Sequence, residues 1–327
     1  MTGLSDSFQR PINYLRISVT DRCNLRCVYC MPPEGVPLMR HEDILSYEEI
    51  YTAVAAASRL GISKVRITGG EPLVRAELAE LVRMLAATAG IDDIALTTNG
   101  VLLAKHAAEL KQSGLRRVNI SLDTLKPDRF RRITRRGNLS NVLQGIEAAR
   151  AAGLNPVKIN TVVMSGINDD ELLDFASRTM DDGWNVRFIE LMPLAGDEVS
   201  AAQFIPVREI RKRLEKLGEL EPCSVSTGNG PAKYFHFAGA KGTVGFITPV
   251  SEHFCFNCNR LRLTADGKLR PCLLSEQEMN LRHLLRRGAS PSELEAAIKE
   301  AIASKPQGHN LARGTVPRNR PYSQVGG

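Results

Sequence analysis

The chain of 327 residues is long enough for one large α/β domain or two ordinary domains. Hydrophobic residues make up 43% of it and charged residues 24%, which argues against a disordered chain, and no apolar run reaches the length of a membrane span. The net charge of +7 favours anionic partners. Such a partner could be a nucleoside triphosphate or RNA, and charge alone does not choose between them.

The first part of the chain alternates short β-rich runs with segments of helical period, which is typical of parallel strands joined by right-handed crossovers. The predicted strands are 15–19, 64–68, 93–97, 117–121, 157–163 and 185–190, and the predicted helices between them are 47–60, 78–88, 104–113, 141–152 and 171–181. Six such units fit either an incomplete (βα)6 barrel of TIM type or a doubly wound sheet, and the pattern alone does not separate the two.

Several residues mark where the predicted helices begin and end. Ser46 is followed three residues later by Glu49, which is the spacing of a capping box at a helix N-terminus. Gly61, Gly114 and Gly153 follow predicted helices and are expected to end them, because glycine adopts the left-handed conformation that a helix C-terminus often requires.

The alternation ends near residue 193. A helix is predicted at 206–217, and short β runs at 261–264 and 268–270 flank a hairpin turn, followed by a last helix that begins after Ser290. We therefore predict two domains. Residues 1–193 form the barrel, and residues 194–327 form an irregular α+β extension packed on it.

The seven cysteines are unevenly placed: three lie within 23–30, three within 255–272, and Cys223 stands alone. The first residues lack the apolar core of a signal peptide, so we expect a cytoplasmic protein. In that reducing compartment, grouped cysteines are metal ligands or reactive thiols more often than disulfides. Cys223 is expected to be a packed or surface thiol.

The first group, Cys23-x3-Cys27-x2-Cys30, directly follows the first predicted strand, at the end where α/β folds collect their active sites. Three thiolates can ligate three irons of a cubane cluster and leave the fourth iron open for catalysis. A zinc site is the alternative, but it would need a fourth ligand, and the nearest histidine in sequence is His41.

A second motif follows the second predicted strand, namely Gly69, Gly70, Glu71 and Pro72. Paired glycines allow a close backbone approach to a ligand, and Glu71 can accept hydrogen bonds from an ammonium group. With the cysteine spacing, and with Tyr29 before the third cysteine, the sequence resembles the radical S-adenosylmethionine superfamily. The resemblance implies that the first triad holds a 4Fe–4S cluster and that the glycine motif receives the methionyl amino group.

The second group is Cys255-x2-Cys258-x13-Cys272, which fits either another three-cysteine cluster or a zinc site completed by His253. Spacing alone does not choose between them. Arg260 and Arg262 alternate along a predicted strand beside the thiols, so they project to one side. They indicate a cationic site for an anionic substrate next to this triad.

Cations also interrupt predicted strands that should be apolar if both faces of the sheet were covered. They are Arg16, Arg66, Lys158 and Arg187. Any one of them could pair with a structural acid, but four on separate strands favour a shared anionic ligand. Arg187 is kept as a structural ion-pair candidate.

These motifs together resemble the GTP 3′,8-cyclase family over nearly the whole chain. The resemblance implies the incomplete barrel and a second 4Fe–4S cluster that holds GTP through its guanine. Residues implied to contact GTP are Arg16, Arg66, Thr97, Lys158, Arg260, Leu261 and Arg262, and those implied to bind S-adenosylmethionine are Tyr29, Gly69, Gly70, Glu71, Ser121 and Met192. Cys23, Cys27, Cys30, Arg260 and Arg262 are assigned to catalysis.

The resemblance also implies the reaction. Reductive cleavage of S-adenosylmethionine releases a 5′-deoxyadenosyl radical, which abstracts hydrogen from the ribose 3′ carbon of GTP. Attack of that carbon on C8 of guanine gives 3′,8-cyclo-7,8-dihydro-GTP, the first step toward molybdopterin. Expected partners are an external electron donor, a second copy in a homodimer, and a downstream cyclic pyranopterin monophosphate synthase. The family's C-terminal Gly–Gly tail, here Gly326 and Gly327, is expected to reach the active site.

Three alternatives remain open. A radical enzyme acting on RNA is suggested by the basic run of Arg129, Arg131, Arg132, Arg135 and Arg136, although its only aromatic is Phe130 and a solvated face explains it as well. A peptide-modifying enzyme would be expected to carry more C-terminal cysteines. A non-enzymatic iron–sulfur electron carrier would leave the glycine motif unexplained.

Overall fold

The structure is a computed structural model that describes residues 4–192, 201–224 and 230–309, together with 311, 320 and 324. Its first half alternates strands and helices as the sequence predicts. The strands are β1 (Tyr14–Ser18), β2 (Lys64–Thr68), β3 (Asp93–Thr98), β4 (Arg117–Ser121), β5 (Lys158–Val163) and β6 (Asn185–Glu190). The helices are α1 (Tyr47–Arg59), α2 (Leu78–Ala86), α3 (Leu103–Gln112), α4 (Pro127–Thr134), α5 (Leu139–Ala151) and α6 (Leu172–Asp181).

The predicted ends of the helices are confirmed. The Ser46 side chain accepts from the Glu49 amide while the Glu49 side chain accepts from the Ser46 amide, so both halves of the capping box are present. Gly61, Gly114 and Gly153 have φ angles of 98°, 108° and 73°. These values lie in the left-handed region that glycine adopts without steric cost, which explains why the helices stop there.

The second half carries shorter elements. They are α7 (Val207–Leu214), β7 (Glu221–Pro222), β8 (Lys233–His236), β9 (Thr243–Ile247), β10 (Arg260–Leu263), β11 (Lys268–Arg270), β12 (Met279–Asn280), α8 (Leu281–Arg286) and α9 (Pro291–Ala303). The predicted hairpin is confirmed, since β10 and β11 pair in antiparallel fashion. Ser290 caps α9 as predicted, with Glu293 completing the capping box.

The strands form one sheet in the order β12-β11-β10-β1-β2-β3-β4-β5-β6-β9-β8-β7. Strands β1 to β6 are parallel neighbours in chain order, as expected of an incomplete barrel. The later strands continue this sheet at both edges: β10 pairs in parallel with β1, and β9 pairs in parallel with β6. The extension therefore lengthens the barrel wall, whereas the sequence pattern predicted an irregular unit packed against it.

The two faces of the sheet differ in chemistry. On β1, Leu15 and Ile17 face the hydrophobic core beneath the helices, whereas Tyr14 and Arg16 face the inside of the barrel. This alternation explains the charged residues in the strands, because only one face of each strand is covered by helices. The predicted domain boundary after residue 193 lies outside the described residues. Within the described ranges, no helix has both the length and the apolar character needed to cross a bilayer.

Candidate active site

A cavity of about 310 Å³ opens at the carboxyl ends of the parallel strands, inside the barrel. All six cysteines of the two predicted groups face it, and none of them forms a disulfide. Active sites of (βα) barrels lie at this end, because the loops that follow successive strands converge there. The fold therefore brings two cysteine triads that are far apart in sequence to one site.

The first triad lies on the loop that follows β1. The Leu25 amide donates to Cys23 Sγ at 3.4 Å, and Arg26 holds the loop by donating to the Cys23 carbonyl at 2.7 Å. Burial raises the pKa of Cys23 to about 11 and raises the pKa of Cys27 well above its usual value. The cost of ionising these thiols falls when a cation binds them, so the loop suits a metal centre.

The paired glycines after β2 pack against this same loop. The Gly70 amide donates to the Thr20 carbonyl at 2.7 Å, and the Glu71 amide donates to the Arg22 carbonyl at 2.8 Å. A Cβ added at Gly70 would lie 2.4 Å from the Arg22 carbonyl oxygen, closer than real Cβ contacts allow. The sequence predicted that glycine permits approach to a ligand; in the structure the close approach is to the backbone of the cysteine loop.

Glu71 is buried and already hydrogen bonded. Its carboxylate accepts from Thr98 Oγ1 at 2.6 Å, the Asn99 amide at 2.7 Å and the Leu73 amide at 3.0 Å. Burial raises its pKa to about 7, against the lowering effect of these bonds. Glu71 thus ties the ends of β2 and β3 together at the wall of the cavity.

Two polar residues of the site were not singled out from the sequence. Asn99 Nδ2 lies 3.9 Å from Cys23 Sγ, and Asp123 accepts from the Tyr29 hydroxyl at 2.7 Å. Burial raises the pKa of Asp123 to about 6. The available signal was the inward alternation of β4, which continues from Ser121 to Asp123 past the end of the strand.

The second triad has a more cationic environment. Arg260 Nη2 donates to Cys258 Sγ at 3.5 Å, and Lys305 Nζ donates to the carbonyls of Arg260 and Pro271. Burial raises the pKa of Cys258, but Arg260 and Lys305 outweigh it and lower that pKa to about 6. The Leu274 amide donates to Cys272 Sγ at 3.4 Å. These N–H donors favour thiolates, which are the form that binds iron.

The geometry bears on the zinc alternative. Among the described residues, no three His, Cys, Asp or Glu side chains are arranged to hold a single metal ion. His253 instead packs edge-on against His309, with ring centroids 5.8 Å apart. Three thiols that share one cavity are a donor set that a cubane cluster can use, because each thiolate of such a cluster binds a different iron. Both triads fit such a group by this criterion.

Sheet register aligns three arginines on the inner wall. Arg16 of β1 lies opposite Arg262 of β10 on one side and Arg66 of β2 on the other. All three line the cavity. Repulsion within such a row opposes folding, so the row is expected to bind an anion.

Among the residues that the structure describes, several buried polar atoms in this wall have no hydrogen-bond partner. They are Tyr14 Oη, Arg66 Nε, Thr97 Oγ1 and Asn160 Oδ1, all on residues that line the cavity. A buried donor or acceptor without a partner costs about 1–3 kcal/mol, so native proteins rarely leave several together. The cluster of such atoms indicates a polar ligand at this position.

Arg187 also lines the cavity, and its role as a structural ion-pair candidate stays a prediction. It donates to Asn119 Oδ1, and within the described ranges no carboxylate pairs with it. Burial is the main cause that lowers its pKa to about 10, and Arg66 adds to the lowering. Tyr234, Arg66 and Tyr14 also lie near it.

Most of the predicted site residues line the cavity: Cys23, Cys27, Cys30, Tyr29, Gly69, Gly70, Glu71, Ser121, Met192, Arg16, Arg66, Thr97, Arg260, Arg262, Cys255, Cys258 and Cys272. Leu261 is buried in the core on the other face of β10. Lys158 lies two residues before Asn160, which lines the cavity, and the Nζ atom of Lys158 lies 5.3 Å from the centroid of the Tyr234 ring. Cys223 follows β7, apart from both triads. Gly326 and Gly327 lie outside the described residues.

Comparison with known proteins defines the class. The radical SAM superfamily model matches residues 17–178, and the model named Molybdenum Cofactor Synthesis C matches residues 184–311. The fold resembles Streptococcus suis SuiB bound to S-adenosylmethionine, with a TM-score of 0.65 and 13% identity over 97% of this chain and 76% of that one. It also resembles anSMEcpe with bound AdoMet, with a TM-score of 0.58 and 16% identity over 94% and 80% of the two chains. The chain is a radical S-adenosylmethionine protein, a class that uses a 4Fe–4S cluster.

Full-length relatives specify the family within this class. Proteins named GTP 3′,8-cyclase from Moorella thermoacetica and Pelotomaculum thermopropionicum are each 54% identical to the chain, covering 99% of it and 100% of their own lengths. The protein of that name from Heliobacterium modesticaldum is 53% identical over 98% of this chain and 99% of its own. The chain belongs to the GTP 3′,8-cyclase family, and the resemblance noted in the sequence is confirmed.

Proposed function

We propose that the chain is itself a GTP 3′,8-cyclase, which converts GTP to (8S)-3′,8-cyclo-7,8-dihydroguanosine 5′-triphosphate in the first step of molybdopterin biosynthesis. One observation carries the proposal beyond family membership. The cavity is lined by both cysteine triads and by a row of arginines formed by Arg262, Arg16 and Arg66. Such a site suits an anionic substrate held between two iron–sulfur clusters.

Cys23, Cys27 and Cys30 would hold the first 4Fe–4S cluster and leave its fourth iron for S-adenosylmethionine. When bound, this pair supplies the 5′-deoxyadenosyl radical that removes a hydrogen atom from the ribose of GTP. Tyr29, Gly69, Gly70, Glu71, Ser121 and Met192 would bind S-adenosylmethionine in the wall beside the cysteine loop. The hydroxyl of Tyr29 is already fixed by Asp123, so its ring is positioned before the ligand arrives.

Cys255, Cys258 and Cys272 would hold a second 4Fe–4S cluster, which would supply an anchor for the guanine of GTP. Two N–H donors support this assignment. Arg260 donates to Cys258 Sγ, and the Leu274 amide donates to Cys272 Sγ. Because Arg260 donates to a thiol and also lines the cavity, it is suited to link this triad to the substrate.

The phosphates and ribose of GTP would occupy the arginine row. Arg16, Arg66 and Arg262 supply charge-assisted bonds, and Thr97 supplies a buried hydroxyl that has no hydrogen-bond partner. Lys158 lies on β5, where Arg66 of this row is one of the cations that act on it, and we assign it to the same anionic site together with Leu261, whose backbone lies in β10. Hydrogen abstraction needs no classical acid or base, so these residues act by orienting the nucleotide and excluding water.

Anaerobic turnover tests the proposal. The reconstituted protein is incubated with dithionite, S-adenosylmethionine and GTP, and the products are analysed by mass spectrometry. We expect 5′-deoxyadenosine together with an isomer of GTP, and we expect both to disappear in Cys23→Ala. If 5′-deoxyadenosine forms while GTP is returned intact, the substrate proposal fails. If neither forms from iron-loaded protein, the chain is not a radical enzyme and the electron-carrier alternative is favoured.

Metal analysis tests the second cluster separately. Two cubanes give about eight irons per chain, whereas one cubane and a zinc site give about four irons and one zinc. Cys258→Ala should lower iron by about half while sparing the first cluster. If the wild-type protein holds zinc at the second triad, the guanine-anchoring role of that triad is contradicted. This holds whether or not the protein cleaves S-adenosylmethionine.

The family's broader context is also part of the proposal. We assign the chain to the cytoplasm, as a homodimer that receives electrons from an external donor and delivers its product to a cyclic pyranopterin monophosphate synthase. Sedimentation of the purified chain tests the dimer: a single species at monomer mass across a wide concentration range would contradict it.

A further inference from the structure

The basic run seen in the sequence forms an exposed cationic surface at the C-terminal end of α4. Arg131, Arg132 and Arg136 are exposed, and within the described ranges none of them forms an ion pair. Arg129 differs, because it pairs with Asp170 and Glu171 and belongs to the structural framework. Asp128, one turn earlier on α4, does not balance three positive charges. We call Arg131, Arg132 and Arg136 the α4 patch.

The α4 patch lies on the helix that holds the first cysteine loop in place. The Arg26 amide donates to the Thr134 carbonyl at 3.0 Å, and the Val28 amide donates to the Ile133 carbonyl at 3.0 Å. These bonds flank Cys27 on both sides. Arg135 Nη1 adds bonds to the Arg26 carbonyl at 2.8 Å and the Met31 carbonyl at 2.9 Å. The end of α4 is therefore hydrogen-bonded to the loop of the first triad.

RNA is the weaker explanation of this patch. Sequence-tolerant RNA binding relies on aromatic side chains that stack on bases, and the aromatic residue of α4 is Phe130. Phe130 is only 2% exposed, because it packs into the core. The patch thus offers charge without a stacking platform, which suits a protein partner with a complementary acidic face.

We propose that the α4 patch is the docking surface for an acidic, one-electron donor protein that reduces the first cluster. This inference rests on the proposed function, because only a chain that holds this cluster needs such a donor. The inner side of the loop faces the substrate cavity, which leaves the α4 side for a partner. One electron passes from the donor to the first cluster, so the donor is oxidised by one electron and the cluster is reduced by one.

The test reverses the charge of the patch in one variant, Arg131→Glu/Arg132→Glu/Arg136→Glu. A matched control, Arg208→Glu/Lys212→Glu/Lys216→Glu, makes the same change in net charge at exposed positions of and after α7. The probe is a flavodoxin, an acidic flavin protein. Three quantities are measured on the full reconstituted chain: the Kd for oxidised flavodoxin by calorimetry, the rate of cluster reduction by flavodoxin hydroquinone, and turnover driven by dithionite.

We expect the patch variant to weaken flavodoxin binding and slow reduction by about tenfold or more, and the control variant to change each by less than about threefold. Turnover with dithionite, a small reductant that needs no docking surface, should stay within about twofold of wild type. A neutral variant, Arg131→Gln/Arg132→Gln/Arg136→Gln, should show a smaller loss of flavodoxin binding and of the reduction rate. It keeps the test valid if the charge-reversal variant misfolds.

Three results would overturn the proposal. Equal losses in the patch and control variants would mean that only net charge matters. Unchanged binding in the patch variant would place the donor elsewhere, and patch-dependent RNA binding with no effect on flavodoxin would assign the surface to RNA. Failure of dithionite-driven turnover with GTP in the wild type would count against the cyclase proposal, while the Kd comparison would still decide the docking surface.

Discussion

Lys158 is a buried cation that faces other cations. Its side chain belongs to a residue only 3% exposed, and burial, together with Arg187, Arg117 and Arg66, lowers its pKa to about 7 from 10.5. The unfolded chain therefore binds this proton more tightly than the folded chain between those two pH values. It follows that the free energy of unfolding of the unliganded protein rises as pH increases from about 7 toward 10.5.

We expect Lys158→Met to stabilise the unliganded protein at pH 7, by roughly 1–3 kcal/mol, because it removes a charge that burial and the nearby arginines disfavour. The difference in the free energy of unfolding between the variant and the wild type should narrow as pH rises. The variant should also lose GTP binding. Thermal unfolding at pH 7 and pH 9.5 measures the first effect and calorimetry the second. Lys241→Met, at an exposed lysine, serves as control and should change neither. If the difference in the free energy of unfolding widened as pH rose, the charge state assigned to Lys158 would be contradicted.

Gly70 determines whether the cysteine loop can pack. We expect Gly70→Ala to destabilise the protein by about 2 kcal/mol or more and to lower iron binding at the first triad. The added Cβ would lie 2.4 Å from the Arg22 carbonyl oxygen, and a backbone atom cannot easily move to relieve that contact. Thermal unfolding and iron analysis measure these effects. Gly230→Ala is the matched control, since no described residue has an atom within 4 Å of its Cβ position. Normal iron content in Gly70→Ala would show that the contact is dispensable.

At the scale of elements, local patterns predicted the strands well and their partners only in part. The bounds of β2, β4 and β6 match the prediction because each run is bordered by clear turn or helix signals. The pairing of β10 with β1 was not predicted, since it joins Tyr14 to Arg260 and no periodicity spans that distance. Helix α4 was missed because its sequence is strongly polar, and its stability comes from burying Phe130 and Ile133.

The same limit applies to the site. The cysteine triads and the inward cations could be found in the sequence because spacing and misplaced charge are local signals. Asn99 and Asp123 could not, because each follows a strand as an ordinary turn residue and gains its role from contacts with Cys23 and Tyr29. The row formed by Arg262, Arg16 and Arg66 depends on sheet register, which exists only after folding.

Glu190, at the end of β6, shows how one strand end organises several elements. Its buried carboxylate accepts from the Val207 amide at 2.8 Å, the Val250 amide at 3.1 Å and the Ser251 amide at 2.9 Å, and also from the Ser251 hydroxyl. It thereby fixes the start of α7 and the turn that follows β9.

We expect Glu190→Gln to destabilise the protein by about 2 kcal/mol, because the new amide turns a donor toward backbone N–H groups that need an acceptor. Hydrogen exchange should accelerate at Val207, Val250 and Ser251 before it does in the sheet. Glu221→Gln is the control, since this exposed carboxylate lies 3.4 Å from His236 Nε2 at the surface. Unchanged exchange at the three amides would show that the carboxylate does not hold these segments.

At the scale of the whole molecule, the two triads meet because the chain returns to its own beginning. Strand β10 lies beside β1, and the N-terminal segment holds the loop of the second triad through Arg10. Arg10 donates to the carbonyls of Cys255 at 2.7 Å, Pro306 at 2.7 Å and Gln307 at 2.9 Å. Its Nε also pairs with Asp6, whose side chain is fully buried.

We expect Arg10→Met to destabilise the protein by roughly 3–5 kcal/mol, because it leaves the Asp6 carboxylate buried without its cation. Iron at the second triad should fall while iron at the first remains, as measured by metal analysis beside denaturant unfolding. Asp6→Asn/Arg10→Met should recover part of the stability, since it removes the unpaired charge but not the lost bonds to the carbonyls. Arg59→Met, at an exposed pair with Glu295, should cost less than about 1 kcal/mol. Equal iron loss at both triads would show that Arg10 supports the fold in general and not the second site.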